Sequence, residues 1–221
     1  GKSVIHFKRT QEKGVDFLRS IAELFDDWAG TYDEEIDDIG GPLTGYRDSI
    51  KKAHKNYPEA AENVLDIGIG TGNFIAEYIK DAKNVYGVDI STKMLEEAKK
   101  KFPSIKVETG DFNNIPFESD YFDLITSSFS FHEVPLSKRE DAFKEVSRLL
   151  KQGGTLNLLD IGFNNKSDMD DAKEKYREEW DDSEQYPFEY ELRQYAEDAG
   201  LTVDKIDYLS ALHINLIASK R

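Results

Sequence analysis

A turn with three alternate glycines is the feature that most constrains how this chain folds. Residues 63–74 read N-V-L-D-I-G-I-G-T-G-N-F. The first five residues form an apolar, β-branched run suited to a buried strand, and a helical pattern starts after the glycines. Gly68, Gly70 and Gly72 can adopt positive φ angles, and their missing Cβ atoms let a ligand lie against the backbone. With Asp66 before the turn and a helix N-terminus after it, the stretch predicts a site for a nucleotide-like ligand.

From this turn onward, strand-like and helix-like segments alternate. Apolar runs predict five strands, at 64–67, 84–89, 105–109, 122–127 and 155–160. Helical patterns between them predict three helices, at 73–80, 92–102 and 138–150. Such alternation is typical of a mainly parallel sheet covered by helices on both faces. Right-handed crossovers place the carboxyl ends of all these strands at one edge, where ligands bind.

Further segments complete the predicted α/β architecture, a Rossmann-like doubly wound sheet of seven strands. Helical patterns lie at 15–28, 46–57 and 188–199, and a charged helical insertion covers 165–190. Two last strands, at 201–208 and 212–219, are expected to form an antiparallel pair. We expect residues 1–62 to be a helical cap on the domain formed by 63–221, with a poorly ordered tail before Val15.

Composition excludes several classes of function. The 44 acidic residues outnumber the 29 basic ones and give a net charge of −15, which disfavours a nucleic-acid partner. The absence of cysteine excludes disulfides, thiolate metal sites and a cysteine nucleophile. His6, His54 and His213 show no metal-ligand spacing, so no metal site is predicted. Since no membrane span or secretory signal is apparent, we expect a cytoplasmic protein without a membrane partner, and a homodimer stays open.

Polar and aromatic side chains follow the predicted strands at the ligand edge. Asp89 ends the second strand, where a carboxylate can accept hydrogen bonds from both hydroxyls of a ribose. Asp111 and Phe112 follow the third strand and offer a carboxylate for an exocyclic amine and a ring beside a flat base. The loop after the fourth strand adds Ser128, Phe129 and His132. These groups suit a ligand with a base, a ribose and a charged tail.

Two cofactors fit that outline. In the dinucleotide fingerprint, the third glycine comes three residues after the second and packs closely under a pyrophosphate. Here Asn73 occupies that place, and Gly72 comes one step early. This spacing favours a smaller ligand with an aminoacyl tail, S-adenosylmethionine.

The ordered motifs resemble those of the class I S-adenosylmethionine-dependent methyltransferases over nearly the whole chain. The cofactor, ribose and adenine motifs are matched by VLDIGIGTGN, VDISTKML and GDFNNIPF. The active-site strand and the following helix-turn-strand are matched by FDLITSSFSFHEV and LLKQGGTLNLLD. The segment FDDWAGTYD is similar to the opening of a small-molecule branch that contains the YrrT-like proteins. Glu133 departs from the pattern, because many relatives have a second histidine there, and this puts any role of a histidine pair in doubt.

The resemblance implies a role for each motif. Asp66 and the glycine loop would contact the methionine moiety, and Asp89 would contact the ribose hydroxyls. The adenine would lie with its face on Ile90 and Met94 and its edge at Asp111 and Phe112. The product would be S-adenosylhomocysteine and the acceptor an unidentified small molecule.

Two residues are candidates for catalysis. His132 is a candidate general base because the pKa of histidine lies near neutrality; alternatively it only hydrogen-bonds the loop backbone. Tyr32 either closes over the methyl donor or packs behind Trp28, which we expect in the core. A base is needed only when the attacking atom must lose a proton that water cannot take.

The acidic run at 168–184 has two interpretations. It is a solvated helix face, or its aromatic side lines a substrate pocket between the fifth and sixth strands. The aromatic residues concerned are Tyr176, Trp180, Tyr186, Phe188 and Tyr190. We hypothesise that they form, with the N-terminal helices, a lid that selects a small, partly apolar acceptor.

Other functions stay open at this stage. The active-site strand ends in S-S-F-S instead of N-P-P-Y, which disfavours adenine or glutamine as the methylated group. Absent cysteines disfavour cytosine C5 methylation and thiol-dependent arsenic methylation. Besides a methyltransferase, the motifs fit a non-catalytic S-adenosylmethionine sensor and, less well, a nicotinamide-dependent oxidoreductase.

Overall fold

A computed structural model describes residues 17–59 and 61–221, with side chains from residue 21 onward. The predicted helix start at Val15 and the tail before it lie outside the described residues. No helix in the described part of the chain has the length and apolar content needed to cross a membrane.

The centre of the molecule is a seven-stranded sheet in the order β3-β2-β1-β4-β5-β7-β6. Its strands are β1 (Asn63–Ile67), β2 (Asn84–Asp89), β3 (Lys106–Thr109), β4 (Phe122–Ser128), β5 (Leu150–Ile161), β6 (Leu201–Tyr208) and β7 (His213–Lys220). The first five strands are parallel, and β7 runs antiparallel between β5 and β6. The predicted Rossmann-like sheet with an antiparallel C-terminal pair is confirmed.

Seven α-helices are assigned within the described residues. They are α1 (Phe17–Trp28), α2 (Tyr32–Glu35), α3 (Tyr46–Asn56), α4 (Thr92–Lys101), α5 (Arg139–Leu149), α6 (Lys166–Lys175) and α7 (Glu189–Asp198). Short 3-10 turns lie at Gly41–Leu43, Ile75–Glu77, Phe131–Glu133 and Leu136–Lys138. Apolar side chains fill both faces of the sheet and form two separate core clusters. Trp28 belongs to one of them and is 2% exposed, as expected for a core residue.

The helix predicted at 73–80 is wrong, because the structure has only the 3-10 turn Ile75–Glu77 in this segment. β-Branched and aromatic residues lower its intrinsic helix propensity. Its side chains are instead fixed by tertiary contacts, since Phe74 and Ile75 are buried and the Tyr78 hydroxyl donates to the Tyr57 carbonyl at 2.7 Å. Tertiary packing therefore decides the local conformation here.

The predicted helical insertion at 165–190 is helical only in its first part. The side chain of Asn165 accepts the backbone N–H of Asp168 and caps α6. After α6, the chain turns where Asp181 accepts both the N–H and the hydroxyl of Ser183, an arrangement typical of an Asx turn. The chain then continues as a loop to α7. Tyr186 lies in this loop and is buried in the core.

The N-terminal segment is fixed onto the sheet by contacts between residues far apart in sequence. The ring of His213 in β7 lies 2.7 Å from the Ser49 hydroxyl and 2.8 Å from the Pro42 carbonyl. The Asn56 amide of α3 donates to Asn215 at 2.8 Å. These contacts hold α3 against β5 and β7 and place residues 21–46 over the carboxyl edge of the sheet.

Candidate active site

A cavity of about 280 Å³ opens at the carboxyl ends of β1, β2 and β4. Most of the cofactor residues expected from the sequence border it, namely Gly68, Gly70, Asp89, Ile90, Met94, Asp111, Phe112, Ser128 and Phe129. Ile21, Phe25 and Tyr32 of the N-terminal segment cover it from the other side. The cavity is therefore made jointly by the strand ends and by the N-terminal segment.

The glycine loop presents bare backbone to this cavity. A Cβ atom on Gly68, where φ is +69°, would lie 2.1 Å from the Ser130 hydroxyl oxygen, so the fold itself requires glycine there. A Cβ atom on Gly70, where φ is +54°, would meet no protein atom within 4 Å. The space above Gly70 is open, and a ligand can approach its backbone closely.

Asp89 links the loop after β1 to the start of α4. Its Oδ2 accepts the Gly70 N–H at 2.8 Å and its Oδ1 accepts the Ser91 N–H at 2.9 Å. Burial raises the pKa of Asp89 to about 6 despite these two hydrogen bonds. Each carboxylate oxygen can accept a further hydrogen bond, so the side chain can hold a ribose diol as well.

Asp66 and Gly72 do not border the cavity. Asp66 is 1% exposed and accepts the Thr126 hydroxyl at 2.9 Å, and its burial raises the pKa of its carboxyl to about 8. Gly72 packs against the Phe102 ring. Their expected contact with a methionine moiety stays a prediction.

The end of the cavity where an adenine is expected is an apolar slot. Met94 is 1% exposed, and Phe112 is held edge-on against Phe131 with ring centroids 5.5 Å apart. Asp111 stands at the rim, where its Oδ1 accepts the Asn113 N–H at 2.8 Å. This end offers apolar faces to a planar base and a carboxylate to its edge.

A second cavity, of about 40 Å³, adjoins the first. Four residues border both cavities and mark where the two adjoin: Phe25, Tyr32, Phe129 and Glu133. Phe129 takes a left-handed φ of +53°, which is rare for an aromatic residue. Its ring is fixed between Tyr46, at 4.9 Å, and His213, at 4.8 Å. Strain of this kind persists only where surrounding contacts enforce it, as they do here.

His132 borders the second cavity and is held by Asp160 at the end of β5. Its Nδ1 lies 2.6 Å from Asp160 Oδ1, and its Nε2 lies 3.5 Å from Glu133 and 3.9 Å from Glu184. Burial alone would lower the pKa of His132. The charge and hydrogen bond of Asp160, with the two glutamates, outweigh burial and raise this pKa well above its usual range. These three carboxylates therefore favour the protonated form of the imidazole.

Tyr32 closes both cavities from the N-terminal side. Its ring stands edge-on to Trp28, with centroids 4.6 Å apart. Burial, followed by the charge and hydroxyl of Tyr46, raises the pKa of Tyr32 well above its usual value. The side chain thus remains a neutral phenol.

Sequence reasoning missed several residues of the second cavity. Glu179, Asp181 and Glu184 border this cavity, but the sequence places them only in an acidic run. Asp160 was missed too; it holds His132, and its place at the end of a predicted strand was a usable signal. Asp33 was also missed; it accepts the Thr71 hydroxyl at 2.6 Å and ties the N-terminal segment to the glycine loop.

Two sequence comparisons with known proteins return the same class of protein. The model of the methyltransferase domain family matches residues 64–154. An uncharacterized methyltransferase from Anoxybacillus flavithermus is 32% identical over 149 residues, which cover 67% of this chain and 70% of the relative.

Two solved structures share the fold. A S-adenosylmethionine-dependent methyltransferase from Clostridium acetobutylicum has a TM-score of 0.66 at 20% identity, over 88% of this chain and 98% of that one. A complex of DhpI with SAM and HEP has a TM-score of 0.71 at 16% identity, over 94% and 99% of the two chains.

Proposed function

Because this chain belongs to the S-adenosylmethionine-dependent methyltransferases, we propose that its larger cavity binds the cofactor and its smaller cavity binds a small-molecule methyl acceptor. The observation that carries this proposal is that Phe25, Tyr32, Phe129 and Glu133 border both cavities. Two ligands that meet where the cavities adjoin would lie close enough to react. The enzyme would then act by in-line displacement on an acceptor not yet identified.

The residues of the larger cavity fit the cofactor. The open backbone at Gly70 accommodates an aminoacyl tail, and Asp89 stands where it can accept the ribose hydroxyls. The apolar slot at Met94 and Phe112 suits an adenine, with Asp111 at its rim. A cavity of about 280 Å³ is also of the size expected for a buried small ligand.

The bound cofactor supplies an activated methyl group on a sulfonium, so the protein has to align the reactants and exclude water. The acceptor atom must lie about 3–3.5 Å from the methyl carbon. Tyr32 and Phe129 are placed to direct the acceptor and to shield the methyl group from solvent. In this arrangement the neutral phenol of Tyr32 is a wall and a hydrogen-bond donor rather than a base.

We assign His132 a positioning role rather than that of a general base. The three carboxylates around His132 favour its protonated form, which cannot take a proton from the acceptor. Its Nε2–H instead faces the carboxylates of Glu133 and Glu184, and the Nδ1 contact to Asp160 fixes the ring. His132 thereby orients the acidic side of the smaller cavity.

Calorimetry with S-adenosylmethionine, S-adenosylhomocysteine and NAD tests the cofactor assignment. Binding of both adenosyl ligands without binding of NAD is expected. Preference for NAD, or no binding by either adenosyl ligand, would overturn the proposal. A screen of metabolite pools with a labelled methyl donor then identifies the acceptor.

A further inference from the structure

The smaller cavity combines aromatic rings with carboxylates. Its rings include those of Trp28, Tyr32 and Tyr186, and its carboxylates include Glu133, Asp181 and Glu184. Among the described residues, its lining contains no lysine or arginine. This composition is unusual for a pocket meant to hold a neutral or anionic molecule.

The carboxylates retain hydrogen-bond capacity toward a ligand. Glu184 already accepts the Tyr186 hydroxyl, and Glu133 faces His132 Nε2 at 3.5 Å. A carboxylate has about four lone-pair sites, so such contacts leave room for further donors. An ammonium group brings three N–H donors and a positive charge, which match this wall.

The aromatic side of the cavity favours the same ligand class. The faces of indole and phenol rings attract cations, most strongly where water is excluded. The side chains of His132 and Glu184 are only 7% and 8% exposed, so the cavity is sheltered from solvent. The positive charge that His132 can carry is offset by the buried carboxylate of Asp160. An anionic acceptor would therefore still meet the other carboxylates at close range and be repelled.

We propose that the methyl acceptor is a small amine, held in its ammonium form by Glu133 and Glu184 between the aromatic rings of the smaller cavity. This inference rests on the proposed function, because it takes the smaller cavity as the acceptor site. It deepens that function by assigning the chemical class of the substrate.

The transfer balances in two steps. The bound ammonium first loses one proton to a cavity carboxylate, and Glu133, which borders both cavities, is the residue we assign to this role. The freed nitrogen lone pair then forms a bond to the methyl carbon while the carbon–sulfur bond breaks and its electron pair stays on sulfur. The product is an N-methylammonium ion, and the proton on the carboxylate passes to water.

A divalent metal ion is the rival occupant. One ligand atom each from His132, Glu133 and Glu184 lies within 4.8 Å of the others, a spacing that a metal ion can bridge. The aromatic rings of the cavity would contribute nothing to such a site, whereas they contribute to an ammonium site. Calorimetry with EDTA present separates an ammonium site from a metal site.

Binding of matched probes is measured by calorimetry with saturating S-adenosylhomocysteine and EDTA present. The probes are propylamine, 1-propanol and propionate, and the larger set 2-phenylethylamine, 2-phenylethanol and phenylacetate. In at least one set, the amine should bind about ten-fold or more tightly than its alcohol, with the acid weakest. Equal binding of amine and alcohol in both sets, or tighter binding of the acids, would overturn the inference.

Two variants locate the effect. Glu184→Gln should remove most of the preference for amine over alcohol while leaving affinity for S-adenosylhomocysteine within about three-fold. Glu178→Gln is the matched control, because Glu178 is exposed on the same segment and does not border the cavity. Glu133→Gln replaces Glu184→Gln if the latter lacks a cooperative thermal transition. If folded Glu184→Gln or Glu133→Gln protein keeps an unchanged preference for amine over alcohol, the proposal is contradicted.

The outcomes also separate this inference from the proposed function. If S-adenosylhomocysteine binds normally but amines bind no more tightly than alcohols, only the assignment of an amine acceptor is wrong. Loss of S-adenosylhomocysteine binding in the unmodified protein overturns the proposed function, and the inference falls with it. Binding of Mn²⁺ or Zn²⁺ at this site, with amines bound only after metal is added, shows a metal site and refutes a direct ammonium contact.

Discussion

The His132 imidazole and the Asp160 carboxylate form a buried pair, with Nδ1 2.6 Å from Oδ1. The other carboxylate oxygen accepts the backbone N–H of His132 at 2.9 Å, so the pair fixes both the ring and its loop. The side chain of Asp160 is fully buried. Asp160 thereby holds the His132 ring in a fixed position beside the smaller cavity and favours its protonated form.

Replacement of Asp160 by asparagine should lower the pKa of His132, because the charge of Asp160 then no longer offsets the effect of burial, which lowers this pKa. NMR titration of the histidine side chains measures this directly. In the unmodified protein the pKa of His132 should lie above its usual value, and in Asp160→Asn it should fall. His213 is an internal control, because its own burial lowers its pKa. A His132 signal that titrates at its usual value in the unmodified protein would contradict the assigned positioning role.

Asp89→Asn should weaken binding of S-adenosylhomocysteine by about ten-fold or more, since the ribose loses a charged acceptor. Asparagine has one acceptor oxygen for the backbone N–H groups of Gly70 and Ser91, so a loss of stability of about 1–3 kcal/mol is expected as well. In the unmodified protein, affinity should also fall as pH falls through about 6, where Asp89 becomes protonated. Calorimetry over this pH range checks both effects. Unaltered affinity in a folded variant would remove Asp89 from the ribose site.

Gly70→Ala and Gly68→Ala form an informative pair. At Gly70 the added methyl group meets open space, so the variant should fold, with a cost of about 1–2 kcal/mol for the left-handed backbone, and should bind S-adenosylhomocysteine poorly. At Gly68 the methyl group would collide with Ser130, so the same substitution should destabilise the protein further. Thermal unfolding and calorimetry measure the two effects. If the Gly70→Ala protein binds S-adenosylhomocysteine normally, the aminoacyl tail of the ligand does not lie against Gly70.

The ligand-free protein should lose stability as pH rises from about 4 to 8. Burial raises the pKa of Asp66 to about 8, so the folded state keeps a proton that the unfolded state releases near pH 4. The unfolded state then binds fewer protons, and the free energy of unfolding falls with a slope of at most about 1.4 kcal/mol per pH unit from this group.

Asp66→Asn should remove that part of the slope. The raised pKa of His132 acts in the same direction, because its stabilising charge is present at low pH and is lost as pH rises through the folded-state pKa. Some slope should therefore remain in the variant. Denaturant unfolding at several pH values tests this. If the free energy of unfolding depends on pH identically in both proteins, the pKa of Asp66 is not raised in the folded state.

Cofactor and acceptor should slow hydrogen exchange in the two segments that close the site. Residues 21–35 and 176–188 carry Tyr32 and Tyr186 at the cavity walls, and ligand binding should hold them in place. The helix Glu189–Asp198 lies outside both walls and serves as the reference segment. Unchanged exchange of the first two segments on binding S-adenosylhomocysteine would argue against a lid.

Sequence patterns predicted the sheet well because its strands are strongly apolar and lie between clear turn signals. The antiparallel pair β6 and β7 was predicted with bounds within one residue. The segment at 73–80 was missed, since contacts of Phe74 and Tyr78 with distant residues override its local pattern. Periodicity carries no information about such contacts.

The cofactor cavity was predictable for a different reason. Parallel topology brings strand ends together, so residues such as Asp89 and Asp111 could be assigned to one edge from sequence position alone. The smaller cavity depends on loops: Glu184 reaches it only because the chain after α6 turns back at Asp181. No periodic pattern predicts a turn that is stabilised by its own side chains and by tertiary packing.

The contacts of His213 with Ser49 and Pro42 have a consequence for the order in which the chain can mature. They join residues 164 and 171 positions apart, and the anchoring strand is the last element of the sheet. During synthesis the N-terminal segment emerges first but has no β7 to attach to. Residues 21–46 can therefore settle over the larger cavity only after β7 has left the ribosome, so the site is completed by that strand.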